Sequence, residues 1–285
     1  NKIKTAEKAM AWRNELLKNS ETGLVSSQDY YTAIAQVNSL QNQSSLKSTS
    51  SLNIEWVNRG PDSQGGRTRA ILFDKDNASL IYTGGSSGGM YKSEDGAQNW
   101  QRINSYNGNN ASIMSLAQSI SGTIFVGTGE FLEQPGVLPG GEINNSSFTG
   151  DGMYKSNDGG ATWVHILETN VNAVVEISSG NTNPTYFDDW AFISSMATSP
   201  TNTNLLLAGT KGGLKISTNA ESLQPTFNSV SNLLGRVSDI KITNDGKEAW
   251  CAMEGEIYYS SDFVNNFSSW VLKNPTLPTS TRAQL

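Results

Sequence analysis

The sequence predicts an all-β chain that repeats a four-stranded antiparallel unit, and three observations lead to that prediction. The first is a hairpin signature in which a strand-like run, a polar Ser-x-Asp turn and an aromatic residue follow one another. The second is the recurrence of this signature, and the third is a pair of strand-like runs before each copy. Four short antiparallel strands, repeated along a chain, form the blade of a β-propeller.

The clearest copy of the hairpin signature spans residues 153–163 and ends with Ser-Asn-Asp-Gly-Gly-Ala-Thr-Trp. Ser156 and Asp158 can accept hydrogen bonds from the amides of the turn. Gly160 supplies a backbone conformation that other residues avoid, and Trp163 is expected to anchor the turn to its own sheet. This spacing, Ser-x-Asp-x-Gly-x-x-Trp, is the Asp-box pattern, and it is typical of a tight hairpin.

Three further copies depart from the pattern, one of them at a single position and the other two at more than one. One copy has Ala97 in place of the glycine, another has Asn219 in place of the aspartate, and the last has Phe267 in the tryptophan position. The structural residues assigned to the four copies are Ser93, Asp95 and Trp100; Ser156, Asp158, Gly160 and Trp163; Ser217, Asn219 and, after a slip, Phe227; and Ser260, Asp262 and Phe267.

The hairpins and the strand-like runs before them predict four blades within residues 52–285. Their expected limits are about 52–104, 110–168, 190–230 and 235–273. The sequence Thr-Arg-Ala-Gln-Leu at 281–285 echoes Thr-Arg-Ala-Ile-Leu at 68–72, so a fifth blade is expected to begin near residue 279. An open arc of blades would expose sheet edges, which natural proteins avoid. We therefore expect a segment of a larger propeller of seven or eight blades.

The first 40 residues are predicted to form an α-helical hairpin. Apolar residues recur at helical spacing over residues 1–20, Gly23 ends that helix, and Ser26 or Ser27 begins a second one. Residues 41–51 are rich in Ser and Gln and are expected to be a linker. The hairpin is interpreted as a packing arm against the propeller or a neighbouring domain, with a docking site for another protein as the alternative.

Composition excludes several classes of function. The formal net charge of −6 argues against nucleic acid or an anionic membrane surface as a partner, and no apolar run is long enough for a transmembrane helix. The lone histidine, His165, follows a box tryptophan and is interpreted as structural. The lone cysteine, Cys251, lies in a predicted inner strand and is expected to be a buried, inert thiol.

No cofactor is expected, and no catalytic residue is assigned. No Cys and His cluster could hold zinc, and the glycine-rich stretch 84–89 lacks the lysine of a phosphate-binding loop. The stretches 74–77 and 150–152 could contribute to a structural calcium site, although polar turns are the commoner explanation for such residues.

Two sets of residues are candidates for binding. Arg67 and Arg69 fall on one side of a predicted innermost strand, where they could form a cationic lining for a carboxylate or sugar. The alternative is that they pair with the acidic turn residues Asp74 or Asp76. The second set lies in two long insertions, 130–150 and 166–189, which should emerge on one face opposite the hairpin turns; its members are Glu130, Glu133, Tyr186, Phe187, Asp188 and Trp190. Spacers without a binding role are the alternative for these insertions.

Several families of Asp-box propellers resemble this sequence. Sialidases carry a Phe-Arg-Ile-Pro stretch, which does not occur here. Residues 81–91 are similar to the first-blade motif of xyloglucan-hydrolysing glycosidases, in which a catalytic aspartate precedes the Gly-Gly pair by two positions. Ser86 stands at that position in this sequence. Glycosidases normally need two carboxylates, so this departure weighs against the activity.

Large secreted proteins of Bacteroidota resemble the chain over nearly its full length. The resemblance rests on Trp-x-x-x-Gly-Pro at 56–61, Gly-Gly-Arg-x-Arg-Ala at 65–70 and the Asp-box hairpins. It implies a secreted or cell-surface protein that the type IX translocon exports, with a role in adhesion or gliding.

We therefore expect a protein without enzymatic activity that binds a protein or glycan partner through its loop-rich face. The alternative is a glycoside hydrolase whose catalytic carboxylates lie in further blades. A third interpretation is a sortilin-like receptor that captures a protein ligand in the central channel.

Overall fold

The computed structural model describes residues 67–86, 89–106, 112–131, 150–171, 174–175 and 188–273, together with scattered positions between 12 and 39. Most of the predicted helical arm and the whole of the predicted linker lie outside the described residues. Within the arm, the described helical positions are Trp12, Thr32, Ala33, Ala35, Gln36 and Ser39. Strand β1 (Val25–Ser26) pairs antiparallel with β10 (Val174–Val175), apart from the blades.

Four antiparallel sheets, each of four strands in chain order, make up the rest of the described chain. Blade one contains β2 (Thr68–Phe73), β3 (Ile81–Gly85), β4 (Gly89–Ser93) and β5 (Gln101–Arg102). Blade two contains β6 (Ile113–Gln118), β7 (Ile124–Thr128), β8 (Met153–Ser156) and β9 (Val164–His165). Blade three contains β11 (Ile193–Thr198), β12 (Leu206–Thr210), β13 (Gly213–Ser217) and β14 (Asn228–Ser229). Blade four contains β15 (Val237–Ile242), β16 (Ala249–Met253), β17 (Glu256–Ser260) and β18 (Val271–Leu272).

This architecture confirms the predicted all-β propeller with four blades. Two short 3-10 helices, Leu167–Thr169 and Asp189–Ala191, lie in the connection between blades two and three. The strands β7 and β12 are buried at every residue, because blades two and three each pack between two other blades. Cys251, in β16, is fully buried, as predicted, and burial raises the pKa of its thiol.

Neighbouring blades interlock through one repeated contact between a glycine and a β-branched residue. Gly84, Gly127 and Gly209 occupy the same position of the second strand in blades one to three. A Cβ atom at Gly84 would lie 2.2 Å from Cγ2 of Ile113, the first residue of the next innermost strand. The corresponding distances are 2.6 Å from Gly127 to Ile193 Cγ2 and 2.5 Å from Gly209 to Val237 Cγ1.

A β-bulge directs these β-branched residues into the junctions. The register between the first and second strands shifts after the first residue of the innermost strand in every blade. A bulge places one extra residue on one strand and changes the direction of its neighbours. The first residues of the four innermost strands are therefore equivalent, and they are Thr68, Ile113, Ile193 and Val237.

The Ser-x-Asp turns close each hairpin by satisfying backbone amides. In blade two, Ser156 Oγ accepts from Gly160 N at 2.8 Å, and Asp158 Oδ1 accepts from Thr162 N at 2.8 Å. The hydroxyl of Thr162 donates to the other carboxylate oxygen at 2.6 Å, and Trp163 Nε1 donates to Gly160 O at 3.2 Å. The turn is thus held by side chains at both ends.

The turns of blades one and three keep parts of this plan with local changes. Ser93 Oγ accepts from Ala97 N at 2.9 Å, and Asp95 Oδ1 accepts from Asn99 N at 2.9 Å. Asn219 Oδ1 accepts from Thr226 N at 2.9 Å, although the aspartate is missing. These contacts show that the turn tolerates Ala97 with its left-handed backbone (φ 73°) and an amide in place of the carboxylate.

One aromatic assignment from the sequence needs correction. Trp100, Trp163 and Phe227 each stand directly before the outermost strand of their blade. In blade four that position belongs to the buried Trp270, and Phe267 lies earlier in the turn, where it packs partly against the same core. The turn of blade four is longer than the pattern assumes, so counting from Asp262 reaches the wrong residue.

A buried lysine links blade two to the hairpin turn of blade three. Lys155 is 1% exposed, and its ammonium group donates to the carbonyl oxygens of Ala220 (3.2 Å) and Ser222. Burial lowers the pKa of Lys155, and the negative charge of Glu221 opposes that shift. The carboxylate of Glu221 in turn accepts from blade two, at 2.6 Å from the hydroxyl of Thr123.

The glycine interlock predicts the effect of adding one methyl group between blades. Gly84→Ala should lower the free energy of unfolding by about 1–3 kcal/mol, since the new Cβ overlaps the side chain of Ile113. Urea unfolding measures this cost, and Ile113→Gly provides the control background, because it removes both Cγ2 and Cβ, which would lie 2.2 and 2.5 Å from the new Cβ. The same Gly84→Ala change should cost less there; equal costs in the two backgrounds would contradict the interlock.

The turn carboxylates predict a loss of stability in acid. Hydrogen bonds from the Thr162 hydroxyl, the Thr162 amide and the Ser156 hydroxyl lower the pKa of Asp158 to about 2, and those from the amide and side chain of Asn99 do the same for Asp95. Both pKa values lie below the value of about 3.9 for an unfolded chain. Their stabilisation is therefore complete above about pH 4 and is lost as the pH falls towards 2.

We expect the double variant Asp95→Asn with Asp158→Asn to be less stable at neutral pH and to lose less stability between about pH 4 and 2. Chemical unfolding at a series of pH values measures the slope. Asn157→Ala, in the same turn as Asp158, changes no carboxylate and should keep the slope of the unchanged chain. A double variant with an unaltered slope would rule out this role for the two aspartates.

Candidate functional site

The long connections of blade two meet on the face opposite the hairpin turns, which we call the loop face. It comprises the connections between second and third strands and those between blades. Gly150 N, at the end of one insertion, donates to Ala191 O, at the end of the other, at 2.7 Å. The candidates Glu133, Tyr186 and Phe187 lie outside the described residues.

A charged cluster joins blades one and two on the loop face. The side chain of Glu130 has no exposed surface, and its Oε2 accepts from Nη2 of Arg67. Arg69 Nε lies 2.9 Å from the other carboxylate oxygen, a contact that is ionic rather than an aligned hydrogen bond. Arg67 Nε also donates to Ser86 Oγ at 3.2 Å. One buried carboxylate therefore holds both arginines.

This pairing corrects the expectation that the arginines pair with Asp74 or Asp76. Asp74 Oδ2 accepts from Gln118 Nε2 at 2.8 Å, and that hydrogen bond is the largest cause of the lowered pKa of Asp74. Asp76 pairs with the adjacent Lys75 at 2.5 Å. Both carboxylates lie in the turn after β2, where Gln118 of blade two and Lys75 engage them, while the arginines lie at the other end of that strand.

The exposure of the three charged groups differs in a way that matters for binding. The side chain of Arg67 is 47% exposed, that of Arg69 is 23% exposed, and that of Glu130 is fully buried. A buried charge is stable only when it is paired, so the arginines compensate Glu130. Arg67 has five donor N–H groups, and its half-exposed guanidinium keeps part of its surface open to an anionic group from outside.

A second cluster continues the cationic surface across blades three and four. The ring of Phe131, next to Glu130, packs edge-to-face against Phe192 with 5.2 Å between centroids. Lys211 Nζ lies 4.9 Å from the centroid of Phe131, and the guanidinium carbon of Arg236 lies 5.6 Å from it. The ring is thus approached by two cations, each within the range of a cation–π interaction.

Sequence reasoning missed this aromatic cluster, although one signal was present. Arg67 and Arg236 both stand one residue before the equivalent first residues of their innermost strands, and Phe192 holds the same position in blade three. When the blades are aligned by the bulge of the innermost strand rather than by the hairpin motif alone, these residues occupy the same position in each blade. We refer to Arg67, Arg69, Lys211 and Arg236, with Phe131, as the cationic band.

The remaining candidates from the second insertion serve the fold where they are described. Asp188 caps a 3-10 helix, its carboxylate accepting from Trp190 N at 2.9 Å. Trp190 packs against Phe227 of the same blade, with 4.9 Å between ring centroids. The next residue, Asp189, pairs with Lys215 at 2.7 Å. These contacts tie the insertion to blade three.

Two buried carboxylates near the loop face, Glu130 and Asp151, both engage donors of the protein. Glu130 is fully buried against two arginines, and Asp151 Oδ2 accepts from Tyr154 OH at 2.5 Å. His165 Nε2 lies 2.8 Å from Asp151 O, and its ring lies against Tyr154. Among the described residues, no group of three His, Cys, Asp or Glu side chains is placed to hold a metal ion, and no helix is both long and apolar enough to span a membrane.

No protein-family model matches the chain, and no curated protein matches it. Solved structures do. A GH74 xyloglucanase from Xanthomonas campestris is 17% identical with a TM-score of 0.48, and the match covers 75% of this chain and 31% of the enzyme. A nutrient-binding protein from Bacteroides thetaiotaomicron is 13% identical with a TM-score of 0.45, over 73% of this chain and 42% of that one.

YCF48 bound to a D1 peptide is 16% identical, with a TM-score of 0.40, over 76% of this chain and 56% of YCF48. The chain therefore spans less than two thirds of each of these structures. At these identities and TM-scores the similarity does not extend to an activity or a ligand.

The charged cluster predicts that removing its two arginines costs more stability than removing its carboxylate. Replacing both arginines, Arg67→Met with Arg69→Met, leaves a buried carboxylate unpaired and should cost about 3 kcal/mol of unfolding free energy. Glu130→Gln should cost less, about 1 kcal/mol, because the partly exposed arginines can be solvated. Urea unfolding at pH 7 compares the variants.

The comparison of the two variants identifies the cause. Glu130→Gln removes the buried charge and keeps both arginines, whereas the double arginine variant keeps the buried charge and removes its partners. A larger cost for Glu130→Gln than for the double arginine variant would show that the arginines, not the glutamate, need the pair.

Proposed function

We propose that this chain is a binding module, without enzymatic activity, that recognises a protein or glycan partner through the loop face. The observation that carries the proposal is the cationic band, in which the half-exposed Arg67 pairs with Glu130 and two further cations approach the ring of the next residue, Phe131. A carboxylate of the partner would bind Arg67 and Arg69, and a sugar or side chain would pack near Phe131. Charge-assisted contacts of this kind give both affinity and orientation.

The balance of charge supports an anionic group on the partner. The cationic band has four positive side chains. Glu130 pairs with Arg67 and Arg69, and the carboxylate of Glu254 accepts from the backbone amide of Arg236 at 2.8 Å. The chain as a whole has a net charge of −6, so this surface differs in sign from the average of the molecule. Local positive charge of this kind steers acidic partners and excludes basic ones.

We further propose that the module belongs to a secreted or cell-surface protein of Bacteroidota type that the type IX translocon exports. Support comes from the sequence resemblance, in particular Gly-Gly-Arg-x-Arg-Ala at 65–70 with the Asp-box hairpins. In that setting the loop face would attach to a protein or polysaccharide outside the cell, as in adhesion or gliding.

The second candidate, a glycoside hydrolase, is favoured by the motif at 81–91, which is similar to that of xyloglucanases. Ser86 stands where those enzymes have a catalytic aspartate. Its hydroxyl accepts from Arg67 Nε at 3.2 Å, and its side chain is buried, so this position anchors an arginine in this chain. Catalysis would need carboxylates from further blades.

Binding measurements distinguish the two functions. The chain is applied to arrays of acidic peptides and of carboxylated and neutral polysaccharides, and hits are titrated. We expect saturable binding to carboxylate-bearing ligands, weakened by salt, and at least about tenfold weaker for Arg67→Glu. The control, Arg102→Glu, reverses an exposed charge on the outermost strand of blade one and should leave the affinity unchanged.

Turnover is measured on the same preparation as the release of reducing ends from xyloglucan. Binding without release supports the module. If the chain releases sugar, and if Arg67→Glu releases it equally fast at the same protein concentration, the hydrolase is favoured. If Arg67→Glu and Arg102→Glu bind the ligand with equal affinity, the cationic band has no role in binding.

A further inference from the structure

An exposed leucine lies at the blade-four end of the cationic band. Leu234 is 68% exposed, and it precedes Arg236 by two residues in the connection between blades three and four. A Cβ atom at Gly213 would lie 3.5 Å from Leu234 Cα, so this connection packs on the turn that carries Lys211. A single exposed leucine is ordinary on a protein surface. This one, however, lies between the two segments that supply the cations over Phe131.

The ring of Phe131 is already engaged within the protein. Lys211 Nζ and the guanidinium carbon of Arg236 lie over it, 4.9 and 5.6 Å from its centroid, and Phe192 contacts it edge-to-face. A sugar binds an aromatic side chain by packing on an open face of the ring. A sugar on Phe131 would therefore have to displace a cation. The open apolar surface at this place is the aliphatic side chain of Leu234, which suits an apolar side chain of a peptide.

The charge at the two ends of the band is positive but small. At the blade-one end, the two arginines face the buried carboxylate of Glu130. At the blade-four end, Lys211 and Arg236 are accompanied by Glu254, whose carboxylate accepts from Arg236 N at 2.8 Å. Two cations and one carboxylate leave one positive charge at each end. Each end therefore matches a single carboxylate of a ligand, and a chain with many adjacent carboxylates would exceed that charge.

The two ends are close enough for one extended peptide to reach both. Glu130 and Phe131 are adjacent in the chain, and bond lengths and side-chain contacts limit the distance from Arg67 to Arg236 to about 20 Å. An extended peptide covers this distance with about six residues. The Cα atoms of Leu234 and Arg236 are at most about 7 Å apart, which is the distance between alternate residues of an extended peptide.

We propose that the partner of the loop face is a protein, bound through an extended acidic segment that has an apolar residue two positions from one of its carboxylates. This inference rests on the proposed binding function and decides between its protein and glycan alternatives. One carboxylate binds the half-exposed Arg67, a second lies at the cations of blade four, and the apolar side chain packs on Leu234. A polyuronate has a carboxylate on every sugar unit and no side chain for Leu234.

Peptide titrations test the class of partner. The 285-residue chain is titrated against fluorescent peptides of Gly and Ser that carry two Glu about six positions apart, with Leu two positions from one of them. Both orders of these residues along the peptide are used, and polygalacturonate is the glycan probe. We expect the better peptide to bind at least about tenfold more tightly than polygalacturonate at equal carboxylate concentration. Replacing Leu by Ser in that peptide should weaken binding about fivefold.

A variant of the chain tests the apolar contact from the other side. Leu234→Ser should weaken binding of the peptide with Leu about fivefold and leave that of the peptide with Ser unchanged, because the two changes are coupled only if the side chains touch. The exposure of Leu234 makes a loss of folding an unsuitable explanation for a selective effect. Leu223→Ser is the matched control, since Leu223 is 74% exposed in the hairpin turn of blade three. It should change neither affinity.

The outcomes separate this inference from the binding function on which it rests. Tighter binding of polygalacturonate than of either peptide, lost in Arg67→Glu and kept in Leu234→Ser, would overturn the inference and leave the loop face as a glycan-binding surface. Equal effects of Leu234→Ser on the peptides with Leu and with Ser would overturn the apolar contact. If Arg67→Glu changes the affinity for neither class of probe, the proposed binding function fails, and the inference fails with it.

Discussion

The contact on which the rest of the structure depends is the interlock of a glycine with a β-branched residue of the next blade. Gly84, Gly127 and Gly209 leave no room for a methyl group, because Ile113, Ile193 and Val237 occupy that space. The bulge at the start of each innermost strand places those residues, and close packing of sheets excludes alternatives. The three described junctions therefore share one spacing at this contact, and the first residues of successive innermost strands occupy equivalent positions.

The cationic band is a consequence of this spacing. Arg67 and Arg236 come from blades one and four, and Lys211 follows the second strand of blade three, so only the stacking of blades brings them towards Phe131. Glu130 contributes the compensating charge from blade two. A surface assembled in this way depends on all four blades, and its charge is fixed by residues far apart in the sequence.

Much of the fold could be predicted because its signals are local. The turn with Ser156 and Asp158 is specified within eight residues, and its recurrence gives the number of sheets. The partner of Arg67 could not be predicted, because Glu130 approaches it across a junction, whereas Asp74 is closer in sequence but lies at the opposite end of the strand. The assignment of Phe267 was wrong for a similar reason: the motif gives the order of the residues, but a longer turn changes the count to Trp270.

Polar contacts, rather than the apolar core, distinguish one junction from the next. The glycine interlock is repeated three times with aliphatic side chains, so by itself it would accept any blade of the same pattern. Glu130 with its arginines occurs at the first junction, on the loop face, and Lys155 with the carbonyl of Ala220 occurs at the second, on the hairpin side. A buried charge tolerates only a partner that satisfies it, so an exchange of neighbouring blades would leave Glu130 or Lys155 unpaired. The arginines that make the loop face cationic thus also help to set the order of the blades. A substitution that changes the charge of the loop face therefore also changes the fit between blades one and two.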